Sequence, residues 1–107
     1  MEVIMFPARA TTISTDLRSV CVVDKSCADP LVAVVRDGSV DVGAVFYSPA
    51  NDGEILGMGT LPAYWRRGIA RKLWLFVAHE AGVASTDVVA EPVTKEGLAL
   101  CAAMWRK

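Results

Sequence analysis

Histidine is nearly missing from this 107-residue sequence; the one present is His79. That excludes a His-Glu-x-x-His zinc helix and any His-rich metal site, so no metal is expected. Cysteine is scarce as well. Cys21, Cys27 and Cys101 are odd in number and not closely paired, which implies neither a disulfide framework nor a zinc site. No apolar run approaches the roughly 18 residues needed to span a bilayer. The short apolar stretch Val3 to Phe6 lacks a basic lead-in and follows Glu2, the wrong sign for a signal peptide. A cytoplasmic, reducing setting with no membrane partner is therefore expected. A surplus of charge is missing too: the net charge of −1 gives no general pull toward nucleic acid or an anionic surface.

What is abundant is apolar surface. Hydrophobic residues make up 53% of the chain and charged ones only 21%, which is too apolar for disorder. It is also more apolar than a small lone domain requires, because such domains keep much of their surface wet. One domain over residues 1–107 is expected, either covered by a partner or shortened from a larger fold. The near-neutral total hides an asymmetry. Residues 1–65 carry four basic and eight acidic side chains, residues 66–107 seven basic and four acidic, and Arg66, Arg67, Arg71 and Lys72 crowd together.

Along the chain, Val3 to Phe6 suits a short strand, and Ser14-Thr15-Asp16 would cap a short helix through Val23. Asp29-Pro30 is a break. Leu31 to Val35 reads as a buried strand, Asp37-Gly38 as a tight turn, and Val40 to Tyr47 as the hairpin partner. Ser48 to Gly53 is a loop. Glu54 to Leu61 is a third strand, interrupted by Gly57 and Gly59, and glycine inside a strand marks a bulge or a close approach. From Gly68 the apolar residues Ile69, Leu73, Phe76, Val77 and Ala81 recur at helical spacing, and Gly82 stops the helix. Thr86 to Ala90 reads as another strand. Thr94 to Trp105 reads as a last helix with Leu98, Cys101 and Trp105 on one face. Residues 31–105 thus form a core of order β-β-β-α-β-α after a short N-terminal part, 1–30.

The informative stretch runs from Glu54 to Ala70: strand, tight loop, helix start. Small residues Gly68 and Ala70 let an anion approach free helix N–H groups, and the arginines add charge and paired donors. It is no Walker A loop, since no Gly-Lys-Ser/Thr follows, and Gly57-x-Gly59 lacks the third glycine of a dinucleotide fingerprint.

These residues resemble the GNAT acetyltransferase superfamily. Its members end a strand in Val/Thr-x-Pro, add an aromatic residue, and open the central helix with (Gln/Arg)-x-x-Gly-x-(Gly/Ala). Here that pattern reads Thr60-Leu61-Pro62, Tyr64, and Trp65-Arg66-Arg67-Gly68-Ile69-Ala70, with Trp65 in place of Gln/Arg. The resemblance spans about Leu31 to Met104. It implies an α/β fold with a mixed, largely antiparallel sheet around a central helix, and transfer of an acetyl group from acetyl-CoA to a primary amine, on a small molecule or a peptide. It further implies pyrophosphate binding at Arg66, Arg67, Gly68, Ile69, Ala70 and Arg71. The pantetheine arm would run along Met58, Gly59 and Thr60, beside a bulge near Gly57 to Gly59. The Met58 amide would polarise the thioester, and Thr94 would lie near the cofactor.

Glu54 matches a glutamate that some members use to deprotonate the acceptor amine, as an ammonium must lose a proton before it attacks. It reads equally as a solvent-facing carboxylate after a turn. Cys101 stands where members often carry a tyrosine that protonates the leaving thiolate. A thiol of ordinary pKa, about 8.5, can donate that proton, and a free cysteine is also an ordinary packing residue. His79, Cys21 and Cys27 read as structural or solvated. Against the family, both ends of the chain are short. The resemblance therefore leaves a second reading open, a weak or inactive CoA-binding or dimerisation module, and it implies apolar sheet edges covered in a homodimer.

Overall fold

A computed structural model of the chain describes residues 2–7, 14–23, 30–48, 53–92 and 94–106. Cys27 and most of the Ser48-to-Gly53 loop lie outside the described residues. The first apolar stretch forms strand β1 (Glu2–Pro7). The Ser14 hydroxyl accepts a hydrogen bond from the Leu17 N–H (3.3 Å) and starts helix α1 (Thr15–Val20). This helix does not reach Val23 as the sequence suggested. It stops three residues earlier, and Val22–Val23 form a two-residue strand, β2. Consecutive β-branched residues lose rotamer freedom in a helix and suit a pleated edge, which accounts for the switch.

The hairpin forms as expected from β3 (Leu31–Asp37) and β4 (Val40–Ser48), with Gly38 at φ +64 in the turn. Strand β5 (Glu54–Thr60) follows, then a 3-10 turn at Pro62–Tyr64 and helix α2 (Ile69–Ala81). Helix α3 (Lys95–Met104) closes the described chain, and the Thr94 hydroxyl caps it by accepting from the Gly97 N–H at 3.0 Å. The strands lie in the order β1-β3-β4-β5-β2, and every strand pairing is antiparallel.

The strand expected at Thr86 to Ala90 is absent. Ser85–Asp87 make a 3-10 turn, and the only parallel contact among the described residues is a single bridge from Ala90 to Ile55. The reason lies in two indoles. The Trp74 N–H donates to the Ser85 carbonyl (2.7 Å) and the Trp105 N–H to the Val88 carbonyl (2.8 Å). Those carbonyls are drawn to side chains rather than to a neighbouring strand. The link that remains to β5 is the Ile55 N–H to the Val89 carbonyl, 2.8 Å.

Two irregularities bend the sheet. Val35 faces Gly43 and Arg36 faces Asp41, so Val42 is an extra residue in β4. Phe46 faces Gly57 and Tyr47 faces Ile55, so Leu56 is an extra residue in β5, one position before the bulge expected at 57–59.

Helix α2 packs one face of the sheet through Ile69, Leu73, Trp74, Val77 and Ala78, against Val35, Val45, Tyr47 and Ile55. Gly43 makes this approach possible, because a Cβ there would stand 2.6 Å from Ile69 Cγ2. Leu17 of α1 packs the other face against Val32, Val34 and Ala44. Buried Asp41 ties the start of α1 to the sheet, accepting from Arg36 Nε (2.6 Å) and from the Ser14 N–H (3.2 Å). In α3 the inward face is Gly97, Leu100, Cys101 and Met104, a spacing of three, four and seven. Leu98 sits one step round from that face and is 61% exposed, against the sequence expectation. No helix among the described residues is long and apolar enough to cross a membrane.

Candidate functional site

The site forms where β5 runs into α2. Thr60, Leu61 and the 3-10 turn carry the chain over the end of the sheet, and the loop then exposes Trp65, Arg66, Arg67 and Gly68 together. Arg66 adopts a left-handed backbone (φ +64) and Gly68 does the same (φ +77). The first helical bond of α2 runs from the Lys72 N–H to the Gly68 carbonyl (3.0 Å). The N–H groups of Ile69, Ala70 and Arg71 therefore have no acceptor within the helix, and no side chain caps it. Free donors, a positive helix end and three exposed arginines suit an anion with several oxygens. Ile69 itself is buried; its side chain belongs to the core and its N–H to the loop. Arg67 lies 5.0 Å over the Tyr64 ring, and the Tyr64 hydroxyl donates to Asp37 at 3.0 Å. That bond and the nearby carboxylate raise the Tyr64 pKa.

The edge of β5 is a different environment. The Leu61 N–H donates to the Val42 carbonyl (2.9 Å) and flanks the Gly43–Thr60 pair. In an antiparallel ladder this makes Gly43–Thr60 a non-hydrogen-bonded pair, and alternation makes Ala44–Gly59 and Phe46–Gly57 the bonded ones. Gly57 and Gly59 thus turn their main chains to β4, while Met58 and Thr60 turn theirs outward. Both outward positions already have partners. Val22 of β2 stands opposite Met58, and the Trp65 indole N–H donates to the Thr60 carbonyl at 2.9 Å. Gly59 makes room for the α1–β2 junction, as a Cβ there would lie 2.6 Å from Cys21 Cα and 2.8 Å from the Val20 carbonyl.

Between β5, Ala90 to Pro92 and α3 lies a cleft of about 80 Å³. Gly57, Met58, Trp74, Thr94 and Cys101 line it. Burial pushes the Cys101 thiol pKa up, so it keeps its proton at neutral pH. Glu54 begins β5 opposite Ser48 and is half-buried. It does not line the cleft, and strand alternation sets it on the face opposite Ile55. The structure therefore gathers Met58, Thr94 and Cys101 around one cleft, which the loop residues 66–71 do not line, and sets Glu54 on the other side of the sheet.

Sequence reasoning missed the part played by Trp74, whose ring forms a wall of the cleft and meets Trp105 edge-on at 6.0 Å and 70°. It also missed β2, because two residues carry no periodicity. His79 and Glu80 are exposed on the outer side of α2, as expected.

The description "Acetyltransferase (GNAT) family" matches residues 7–90 of the chain. The match begins earlier than the resemblance read from the sequence and ends before α3, so Thr94 and Cys101 stand outside it. No curated protein and no solved structure matches. The matched residues comprise most of the sheet, the loop and α2, and on that basis the chain belongs to the GNAT acetyltransferase family, whose general activity is acyl transfer from acyl-CoA to an amine.

Proposed function

We propose that this chain is an acetyl-CoA-dependent N-acetyltransferase acting on a primary amine. The observation that carries this reading is the loop at residues 66–71, where free helix N–H groups, a left-handed Gly68 and exposed Arg66, Arg67 and Arg71 converge. These groups fit a pyrophosphate in charge and in donor geometry. Bound acetyl-CoA supplies an activated acetyl group. The outward N–H of Met58, once free of its strand partner, is the donor placed to stabilise a developing oxyanion. Glu54 takes a proton from the acceptor ammonium, directly or through water, from the opposite face. Cys101 holds a proton at neutral pH beside the cleft, the state required of a group that protonates a leaving thiolate. Thr94 holds the start of α3 against the cleft wall.

Acetyl-CoA at millimolar concentration is expected to raise the melting temperature through mass action, and no rise would remove the loop from the assignment. Glu54→Gln is expected to lower the rate about a hundredfold or more, in the range of a lost general base. An unchanged rate would leave Glu54 as a surface carboxylate.

A second reading has its own observation. The β5 edge is occupied and the cleft is small, which favours a module that holds CoA with little turnover. Release of free thiol from acetyl-CoA in the presence of a panel of amines separates the two. We also propose a homodimer formed through a sheet edge, with β1 the outermost strand on one side. Sedimentation at micromolar concentration tests it, and a monomer there would remove it.

A further inference from the structure

We infer that β2 is a displaceable strap on the cofactor edge of β5, released when the extended arm of CoA binds. This inference rests on the cofactor reading above. Three observations support it. First, Val22–Val23 pair with Met58 and Gly57 at the edge that faces away from β4, so the outward N–H and C=O of Met58 are engaged by the chain itself. Second, Met58 also lines the cleft of about 80 Å³ between β5 and α3, so the edge that β2 covers borders the space an extended arm would enter. Third, β2 is the shortest strand among the described residues, with two residues, and Val23 is 51% exposed. The neighbouring outward carbonyl, that of Thr60, is held by an exposed indole.

Met58 gives up its main-chain partner Val22. Its C=O takes an amide N–H of the arm, and its N–H is left for the thioester carbonyl of the acetylated cofactor. The cost falls on β2, whose main-chain groups go to water. Apparent affinity for CoA is then reduced by the fraction of molecules in which β2 is released.

Two measurements test this, and each separates failure of the strap from failure of the cofactor reading. The first is amide hydrogen exchange on the wild-type protein with CoA and, separately, with 3′-phospho-ADP, the nucleotide half that lacks the arm. CoA is expected to deprotect the Val22 amide, and 3′-phospho-ADP is expected to bind without deprotecting Val22. CoA binding with Val22 still protected overturns the strap, as does deprotection by 3′-phospho-ADP. No binding of either ligand overturns the cofactor reading and the strap with it. The second measurement is the dissociation constant of Val22→Pro, which lacks the strand N–H. Each strand bond removed from the competing state should tighten CoA about fivefold, with 3′-phospho-ADP unchanged. An unchanged CoA constant overturns the strap; if the variant does not fold, the wild-type exchange experiment decides.

Discussion

The loop that follows β5 and the edge of β5 itself lie a few residues apart and differ in how far their main-chain groups are already engaged. At the loop, the first N–H groups of α2 have no helical acceptor and Arg66, Arg67 and Arg71 are exposed. At the edge, Met58 faces Val22 and the Thr60 carbonyl takes the Trp65 indole. One region is ready to receive an anion; the other must give something up first. On the proposed reading, charge sets encounter at the loop, while strand exchange sets how well the arm is held.

The largest expected effect comes from breaking the closed region. Trp74 is fully buried, forms a wall of the cleft and bonds to Ser85. Trp74→Ala should cost about 3–5 kcal/mol of stability by urea unfolding, as for other large-to-small core changes. A smaller effect sharpens the open region. Replacing Arg66 and Arg67 together by alanine should weaken CoA about tenfold, measured by calorimetry, in keeping with the loss of charge-assisted hydrogen bonds. The same factor should appear with 3′-phospho-ADP, since both ligands carry the pyrophosphate. Next is Gly68→Ala. A Cβ there meets nothing within 4 Å, so the cost is the left-handed backbone alone, about 1 kcal/mol by thermal melting. The smallest effect at neutral pH concerns Tyr47, away from both regions. Its burial, helped by Glu80, pushes its pKa up to about 12. The folded chain holds a proton that the unfolded chain releases near its ordinary value of 10. This contribution to stability is thus intact below pH 10 and is lost as pH rises toward 12, at no more than about 1.4 kcal/mol per pH unit. Ultraviolet titration of tyrosinate should show Tyr47 ionising late.

Much of the fold could be read ahead of the structure because its signals are local. The hairpin turn at Gly38, the glycines at both ends of α2 and the Thr94 cap each act within a few residues. The loop at residues 66–71 was equally legible, since spacing alone brings its arginines and small residues together. What escaped depends on partners distant in sequence. The strand expected at 86–90 has the right composition, but Trp74 and Trp105 take its carbonyls, and nothing near residue 88 announces those indoles. Leu98 was assigned to the wrong face because the inward stripe of α3 is centred on Gly97, where a small residue against Pro92 marks the contact. The self-pairing of the β5 edge could not be inferred from residues 54–60, because its partner lies some 35 positions earlier in the chain.

The anchoring of α1 has a mechanical consequence. Buried Asp41 clamps the start of this six-residue helix, and at its other end Cys21 rests on Gly59 with no space for a Cβ between them. A helix clamped at both ends acts as a fixed post. On the strap reading, release of the two residues that follow it, which span about 7 Å, would uncover one main-chain pair of β5 while the Leu17 face of the core stays packed.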